Sequence, residues 1–414
     1  MSEPRRILYH HRIRADDGQA VHVRELISAL RAAGHDVDEC ALVPKANAAQ
    51  AGAGNSAVAD AAPRATGDPQ PAGKPKPGFW QRLSLPRTAV EVLEVVYNHK
   101  GRSMLRAAAK RGNPHFLYER HALHLRAGLD VAREFDLPLL LEVNSPMAME
   151  MQRLGKLCLP RRARRTEQEV LANADAVLAV TQVLADMLVD LGAKRDRVHV
   201  IGNGAVLQRY GEHAGVAAQE LRQRWQLQAD AFVLGFVGYM RPWHRLDLVL
   251  DVMQRPGLET LVLVLMGEGP ALQPLQELAR ERGMQDRVRA LGVVPSELLP
   301  SHVMALDGAL IPAINAYASP LKLFDSLAAG VVTLAPDQPN LRENIVDGEN
   351  GLLFPEGDAD GLYAQLQRVV GDRDLAQRIG AAGKQSMIDQ RWTWGGNAER
   401  VLEVFDSMPK RVTR

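Results

Sequence analysis

The sequence predicts two doubly wound α/β domains in tandem. Its 414 residues suffice for two or three domains of about 100–200 residues each. Short apolar runs such as 137–141 and 261–266 show no polar alternation, as strands buried on both faces require. Amphipathic segments separate these runs, and glycine or proline stands near most of the joints.

The first unit is a strand at 7–9, a polar turn at 15–19 containing Gly18, and a helix at 21–33. Val21, Leu26, Ala29 and Leu30 share one helical face, Gly34 stands where a helix C-terminus needs a left-handed residue, and 37–43 is the next strand. Residues 46–78 are rich in Ala, Gly and Pro and lack aromatics, the composition of a mobile surface loop. Residues 79–111 form a helix with an apolar stripe (Val92, Val95, Val96) and many basic residues, which fits a surface helix or one lying on a membrane. Strands at 116–118, 139–143, 176–180 and 198–201 then alternate with helices at 122–134, 164–172 and 182–191. Gly202-Asn203-Gly204 is turn chemistry suited to a chain leaving one domain, and 211–218 is a linker.

The second half repeats the pattern. Strands are expected at 232–237, 261–266, 288–291, 309–311 and 331–334, with helices at 246–253, 271–282, 296–305 and 321–329. Three more helices follow, at 359–370, 372–390 and 396–408.

Composition narrows the class. With 46% hydrophobic and 24% charged residues, the chain is neither disordered, collagen-like nor a coiled coil. No apolar run approaches the ~18 residues of a membrane span, and no signal-peptide core precedes the first strand. Two cysteines, Cys40 and Cys158, make neither a disulfide framework nor a zinc cluster, so a reducing cytoplasm is expected. Residues 1–215 carry 30 Lys+Arg against 24 Asp+Glu, and the remainder 20 against 25. The basic N-terminal half is either a solvated face or a surface for something anionic, a phospholipid bilayer or a lipid-phosphate acceptor. Nothing points to nucleic acid.

In such sheets ligands bind beyond the carboxyl ends of the strands, and four segments stand there. Gly18 before a helix either makes a plain tight turn or lets a phosphate approach backbone N–H groups, and the full G-x-G-x-x-G pattern is absent. Residues 238–245 place Arg241, His244 and Arg245 in a turn after a strand; read alone this is a surface turn with scattered charge, and at a strand end it is placed for a diphosphate. Ser319 reads as an N-cap and Pro320 as the first helical turn, offering free N–H groups to an anion. Lys322 and Asp325, three apart, share a face; the pair is either a surface ion pair or a cation with a carboxylate that accepts from two ribose hydroxyls. Arg342-Glu343, Asp347-Gly348 and Asn350-Gly351 are turn residues when read alone.

Taken together, Gly18, Val21-His22, Leu26, Leu30 and Gly34-His35, then Val200-Ile201-Gly202-Asn203-Gly204, Phe236-Val237-Gly238 and Met266-Gly267-Glu268-Gly269-Pro270, resemble glycosyltransferase family 4. So do Ser319-Pro320-Leu321-Lys322-Leu323-Phe324-Asp325-Ser326-Leu327-Ala328-Ala329-Gly330 and Arg342-Glu343-Asn344-Ile345-Val346-Asp347-Gly348-Glu349-Asn350-Gly351-Leu352-Leu353. Only 46–78 falls outside the match. The resemblance implies a GT-B fold of two Rossmann-like doubly wound domains facing across a cleft. Residues 1–210 would bind the acceptor, 211–390 the nucleotide sugar, and the helix in 391–414 would pack back on the N-terminal domain.

The resemblance also assigns roles. It implies transfer of a hexosyl unit from a nucleoside diphosphate sugar to a glycan or lipid-linked acceptor, with retention of configuration, as in polysaccharide or glycoconjugate biosynthesis. The donor is a substrate; no cofactor and no metal are implied, and no D-x-D pair stands at a strand end. The family's diphosphate-binding Arg is replaced by Tyr239, with Arg241 the substitute cation two residues on, and His244 occupies the lysine slot. Tyr317 stands where the first family acid would be, and Asp325 aligns with the second, which holds the ribose. Arg241 and Lys322 are thus the expected catalytic cations. Gly18, Gly238, His244, Ser319, Pro320, Leu321 and Asp325 are expected to bind the donor, and His22, Asn144 and Ser145 to face the acceptor cleft. The chain would be cytoplasmic, with peripheral contact at the inner face of the membrane. Two other functions fit the scaffold. The Tyr317 and His244 departures favour a non-catalytic nucleotide- or glycan-binding subunit, whereas an epimerase or hydrolase would need an in-cleft acid/base pair, and none is identified.

Overall fold

A computed structural model describes residues 3–15, 18–45 and 86–409. The expected loop at 46–78 lies outside the described residues. The chain forms two six-stranded sheets in which every pairing is parallel.

The first sheet contains β1 (Arg6–His10), β2 (Asp36–Cys40), β3 (Phe116–Arg120), β4 (Leu139–Val143), β5 (Ala176–Ala179) and β6 (Val198–Val200), in the order β2-β1-β3-β4-β5-β6. Helices cover both faces, so alternate residues of one strand enter different cores. Leu8, Leu117, Leu139 and Leu141 pack on one side, while Ile7, Tyr9, Phe116, Tyr118 and Leu140 pack on the other. This two-sided burial is why the strands read as unbroken apolar runs. Each fully buried Leu or Phe contributes about 1.5–3 kcal/mol over its exposed state.

The second sheet contains β7 (Phe232–Val237), β8 (Leu261–Met266), β9 (Val288–Gly292), β10 (Gly308–Leu310), β11 (Val332–Pro336) and β12 (Leu352–Phe354), in the order β12-β11-β10-β7-β8-β9. Strand β12, which among the described residues pairs with β11 alone, is an addition to the five expected strands. The expected linker at 211–218 is instead the start of a helix, Glu212–Arg224. Ala218 and Trp225 bury against Val233, Val303 and Leu306, and that packing outweighs the low helix propensity of Gly215.

Gly18 lies within the helix Gly18–Ala32 rather than in a turn before it. The last helix, Trp394–Ser407, returns to the first domain. Trp394, Ala398, Val401 and Leu402 join the core of Val23, Leu26, Ile27 and Leu30. The chain therefore crosses between the domains twice, and the crossings run side by side. Ala205 N–H donates to Trp392 O at 3.3 Å and Trp394 N–H to Ala205 O at 3.4 Å. A Cβ on Gly204 would come within 2.8 Å of the Thr393 carbonyl carbon, so only glycine admits this contact.

The strand order reverses between β1 and β3 in the first sheet and between β7 and β10 in the second. Crevices at these reversals are the natural ligand sites of such sheets.

Candidate active site

Both reversals open into one cavity of about 690 Å³, within the range of small-molecule sites. Its N-terminal-domain wall includes Gln19, Arg120 and His121 beyond β3, and Asn144 and Ser145 beyond β4. The opposite wall carries Arg241 and Trp243 after β7 and Asn315, Tyr317 and Ala318 after β10. Of the residues expected in the site, Arg241, Asn144 and Ser145 line this cavity directly.

Two parallel loops leave β7 and β8, and their glycines set how closely they approach. Gly238 has φ 133° and Gly267 φ 133°; a Cβ on Gly267 would lie 2.1 Å from the Gly238 carbonyl oxygen. The bare face of Gly238 is occupied by Lys322, whose Nζ would lie 3.4 Å from a Cβ there. That Nζ also sits over the Phe236 ring, 3.9 Å from its centroid. Burial alone lowers the Lys322 pKa, to about 7. Among the described residues the ammonium has no carboxylate or hydrogen-bond partner. Arg241 likewise has no carboxylate partner there, and its guanidinium stacks 5.0 Å over Tyr239.

His244 does not line the cavity. Its ring lies buried between Phe236 and Trp243, with centroids at 5.1 and 3.9 Å. Its Nδ1 accepts the Arg241 backbone N–H at 3.1 Å, so a neutral ring carries its proton on Nε2. Burial, then Lys322, then Arg241 push its pKa down to about 3. His244 therefore shapes the turn that presents Arg241 and adds no charge.

Ser319 is not an N-cap. The helix Leu321–Ala329 has Pro320 at that position with no side-chain cap, because the Ser319 side chain is engaged across the domain seam. Asn203 donates its backbone N–H to Ser319 Oγ at 3.2 Å and its Nδ2 to Ser319 O at 2.5 Å. The uncapped first turn leaves N–H groups available to an anion. Leu321 turns toward the other domain, its Cδ1 3.5 Å from where a Cβ on Gly18 would stand.

Asp325 and Lys322 have separate surroundings and form no ion pair. Asp325 Oδ1 accepts from the Tyr210 hydroxyl at 2.7 Å, and burial raises its pKa to about 6 against the lowering effects of Tyr210 and Arg209. Among the described residues Oδ2 accepts no hydrogen bond.

His22, expected in the cleft, is instead buried beneath it. Its Nδ1 meets Asn203 Oδ1 at 2.7 Å and its Nε2 meets Glu142 Oε1 at 3.1 Å. Glu142 gathers the acceptor-side wall: Tyr118 donates to it at 2.8 Å and Tyr9 at 3.4 Å, and Arg120 and Asn144 bond the same carboxylate. Burial would raise the Glu142 pKa, but Arg120, His22 and Tyr118 outweigh it and hold the carboxyl well below the usual range. Further contacts hold the domains together at the rim. Thr181 Oγ1 donates to Tyr317 O at 2.8 Å, and Glu343 accepts the Gln182 backbone N–H at 2.9 Å on each oxygen.

Arg120 is among the cleft residues that the sequence reading missed. It ends β3 two residues beyond the expected strand, and the strand-end rule applied to β3 would have found it.

Residues 17–204 match the family model described as a glycosyl transferase 4-like domain, and residues 217–386 match the one described as glycosyl transferases group 1. The chain belongs to glycosyltransferase family 4. This glycosyltransferase is 29% identical to the D-inositol 3-phosphate glycosyltransferase of Thermomonospora curvata, over 73% of this chain and 74% of that one. It is 31% identical to the protein of that name from Nocardia farcinica, over 58% of this chain and 54% of the relative. Among solved structures, sucrose-phosphate synthase from Thermosynechococcus elongatus superposes with a TM-score of 0.73 at 20% identity, covering 97% of this chain and 98% of that one. Anabaena HepE, solved with UDP and glucose, gives 0.65 at 15% identity, covering 98% and 100%. The glycosyltransferase thus has the GT-B fold, two Rossmann-like domains facing across a cleft.

Proposed function

We propose that the enzyme transfers a hexosyl unit from a nucleoside diphosphate sugar to a glycan or lipid-linked acceptor, retaining anomeric configuration without a metal. The observation that carries this reading is the pair Arg241 and Lys322. Both are cations at the carboxyl end of β7, and neither has a carboxylate partner among the described residues. For Lys322, shifted by burial, an uncompensated charge is costly unless an anion arrives, and the exposed Arg241 stands ready for the same anion. A diphosphate supplies that anion, and HepE, of like fold, was solved with UDP.

In this reading the bond from the anomeric carbon to the diphosphate oxygen breaks and its electron pair leaves with the diphosphate. Arg241, Lys322 and the first-turn N–H groups after Pro320 stabilise that developing charge. The acceptor hydroxyl forms the new bond from the same face, and its proton passes to the departing phosphate oxygen. Asp325 Oδ2 is the free acceptor for a ribose hydroxyl. Asn144 and Ser145 lie on the acceptor side. An acceptor carried on a lipid would bring the enzyme to the inner face of the membrane; among the described residues no helix is long and apolar enough to cross one.

A screen of nucleotide sugars by thermal shift, followed by hydrolysis and transfer assays on each hit, tests the proposal. Donor turnover supports it. A donor that stabilises the protein yet is never hydrolysed or transferred would favour a non-catalytic binding subunit, which the uncharged His244 and the Tyr317 replacement also fit.

A further inference from the structure

One carboxylate, Glu150, stands among the described lining of the main cavity, where Arg120, Arg153, Lys156 and Arg241 supply positive charge. It lies in the helix Met147–Arg153, which follows β4 on the N-terminal domain, and Tyr317 lines the opposite wall after β10. The two side chains are hydrogen-bonded across the cleft. Burial first, then the Glu150 charge, push the Tyr317 pKa up to about 12 against the lowering effect of Arg153. The Tyr317 hydroxyl therefore keeps its proton and donates it to the carboxylate. Glu150 has no ion pair among the described residues, although Arg153 is one turn further along the same helix.

Tyr317 is fixed from both domains. Thr181 holds its carbonyl, and the buried Asn340 donates Nδ2 to the carbonyls of Asn315 and Ala318 at 3.2 and 2.7 Å. Its ring packs against the core of the N-terminal domain. A carboxylate offers roughly four lone-pair sites, and one phenol hydroxyl fills one of them. Glu150 is thus held in place with acceptor capacity left over.

We propose that Glu150, held by Tyr317, accepts hydroxyl groups of the transferred sugar and makes the enzyme select neutral hexosyl donors over hexuronyl ones. This assignment rests on the transfer reading of the cleft and adds the chemical class of the sugar. Tyr317 shares its wall with Arg241, the expected contact of the diphosphate, so the sugar next to that diphosphate is the part of the donor that meets the pair. A sugar hydroxyl donates to a carboxylate in a charge-assisted bond. A hexuronate carries a negative charge on the same ring, and like charges that close in a partly desolvated site repel. The cations of the cavity do not cancel this effect. Arg120 is engaged by Glu142, Arg241 is the expected partner of the diphosphate, and Arg153 and Lys156 are exposed.

Calorimetry on the full chain tests the proposal with UDP, UDP-glucose and UDP-glucuronic acid, and in parallel with GDP, GDP-mannose and GDP-mannuronic acid. Wild type is expected to bind the hexose donor about tenfold or more tightly than the matched hexuronate. Glu150→Gln keeps the shape and removes the charge, and the preference should fall by about tenfold or more. Melting temperature and affinity for the nucleoside diphosphate alone are the controls for folding. Tyr317→Phe releases Glu150 without removing its charge, so hexose affinity should fall while the bias against the hexuronate persists. A residue that merely joined the domains would shift all three ligands alike. The same preference in wild type and Glu150→Gln overturns the proposal, as does a wild type that binds hexuronate and hexose donors equally. Failure of the transfer reading is distinct: the wild-type chain would then bind neither UDP nor GDP, and the assignment of Glu150 would fall with it.

Discussion

The Nζ of Lys322 lies 3.9 Å from the centroid of the Phe236 ring, on the side of β7 where Gly238 has no side chain. An aromatic face attracts a cation but gives it no counter-charge. The arrangement holds Lys322 in place beside the turn of Arg241 and leaves its charge to be completed by whatever enters the site.

Burial lowers the Lys322 pKa to about 7, so in the free protein the amine loses its proton as pH rises through that value. A bound diphosphate favours the protonated form and raises the pKa, so binding must take up a proton above pH ~7. Nucleotide affinity is expected to be flat below pH ~7 and to fall above it, by up to about tenfold per pH unit. Calorimetry in buffers of different ionisation enthalpy checks this by counting the protons taken up. Lys322→Met should abolish both the proton uptake and the pH dependence.

Arg241 is exposed and, among the described residues, its only charge-dependent contact is the stack on the exposed Tyr239. Arg241→Ala should leave the melting temperature unchanged and abolish donor turnover, with donor affinity reduced by about 1.5–3 kcal/mol, the value of a charge-assisted contact. Full activity with unchanged donor affinity would remove Arg241 from the site.

Sequence reading located the strands because most are buried on both faces: in β8 every residue from Leu261 to Met266 is buried, and such runs need no partner to be recognised. Strand β12 escaped because its three residues follow the turn chemistry of Asp347-Gly348 and Asn350-Gly351, and pairing with β11 defines it. The helix from Glu212 was hidden by Gly211 and Gly215, since its packing against Val303 and Leu306 is tertiary. In the site, strand ends pointed to Arg241, Asn144 and Ser145. Glu142 did not stand out, because Tyr9, His22 and Tyr118 reach it from distant points in the chain. The same distance effect removed Ser319 from its expected cap, because its partner Asn203 is in the other domain.

Glu142 is buried with Arg120 and His22 around it. Glu142→Ala would leave a buried guanidinium without its partner and is expected to cost about 3–5 kcal/mol of stability, read by denaturant unfolding. Glu142→Gln keeps the shape and should lose less. Because the wild-type carboxyl is held below its usual pKa, its contribution is present above the ordinary carboxylate value of 4.5 and is lost as pH falls below it toward the folded value. The gap between wild type and Glu142→Gln should therefore narrow in acid.

Among the described residues Arg241 and Lys322 have no carboxylate partner, and no group of three His, Cys, Asp or Glu could hold a metal ion. Donor turnover is therefore expected to survive EDTA, because Arg241 and Lys322 supply the charge that a divalent ion would otherwise bring. Strict dependence on added magnesium or manganese, restored after chelation, would contradict the assignment of those residues.

Asp325 stands on the helix Leu321–Ala329 that follows Pro320. Its Oδ1 holds the Tyr210 hydroxyl at 2.7 Å, and burial raises its pKa to about 6. In the folded protein the carboxylate is therefore disfavoured, and wild-type stability falls as pH rises from about 4 through 6. Asp325→Asn still accepts from Tyr210 through its amide oxygen but carries no charge to bury. Its melting temperature should rise relative to wild type as pH goes from about 4 to about 6 and stay higher above that, while the two proteins converge near pH 4. If Oδ2 accepts from the ribose, the same substitution weakens donor binding by about 1.5–3 kcal/mol, because the amide nitrogen cannot accept a hydrogen bond. Tyr210→Phe separates the roles: it removes the seam contact and leaves Oδ2 free, so donor affinity should persist. If Asp325→Asn gains stability above pH 6 and binds donor as well as wild type, the carboxylate belongs to the domain seam and the ribose lies elsewhere.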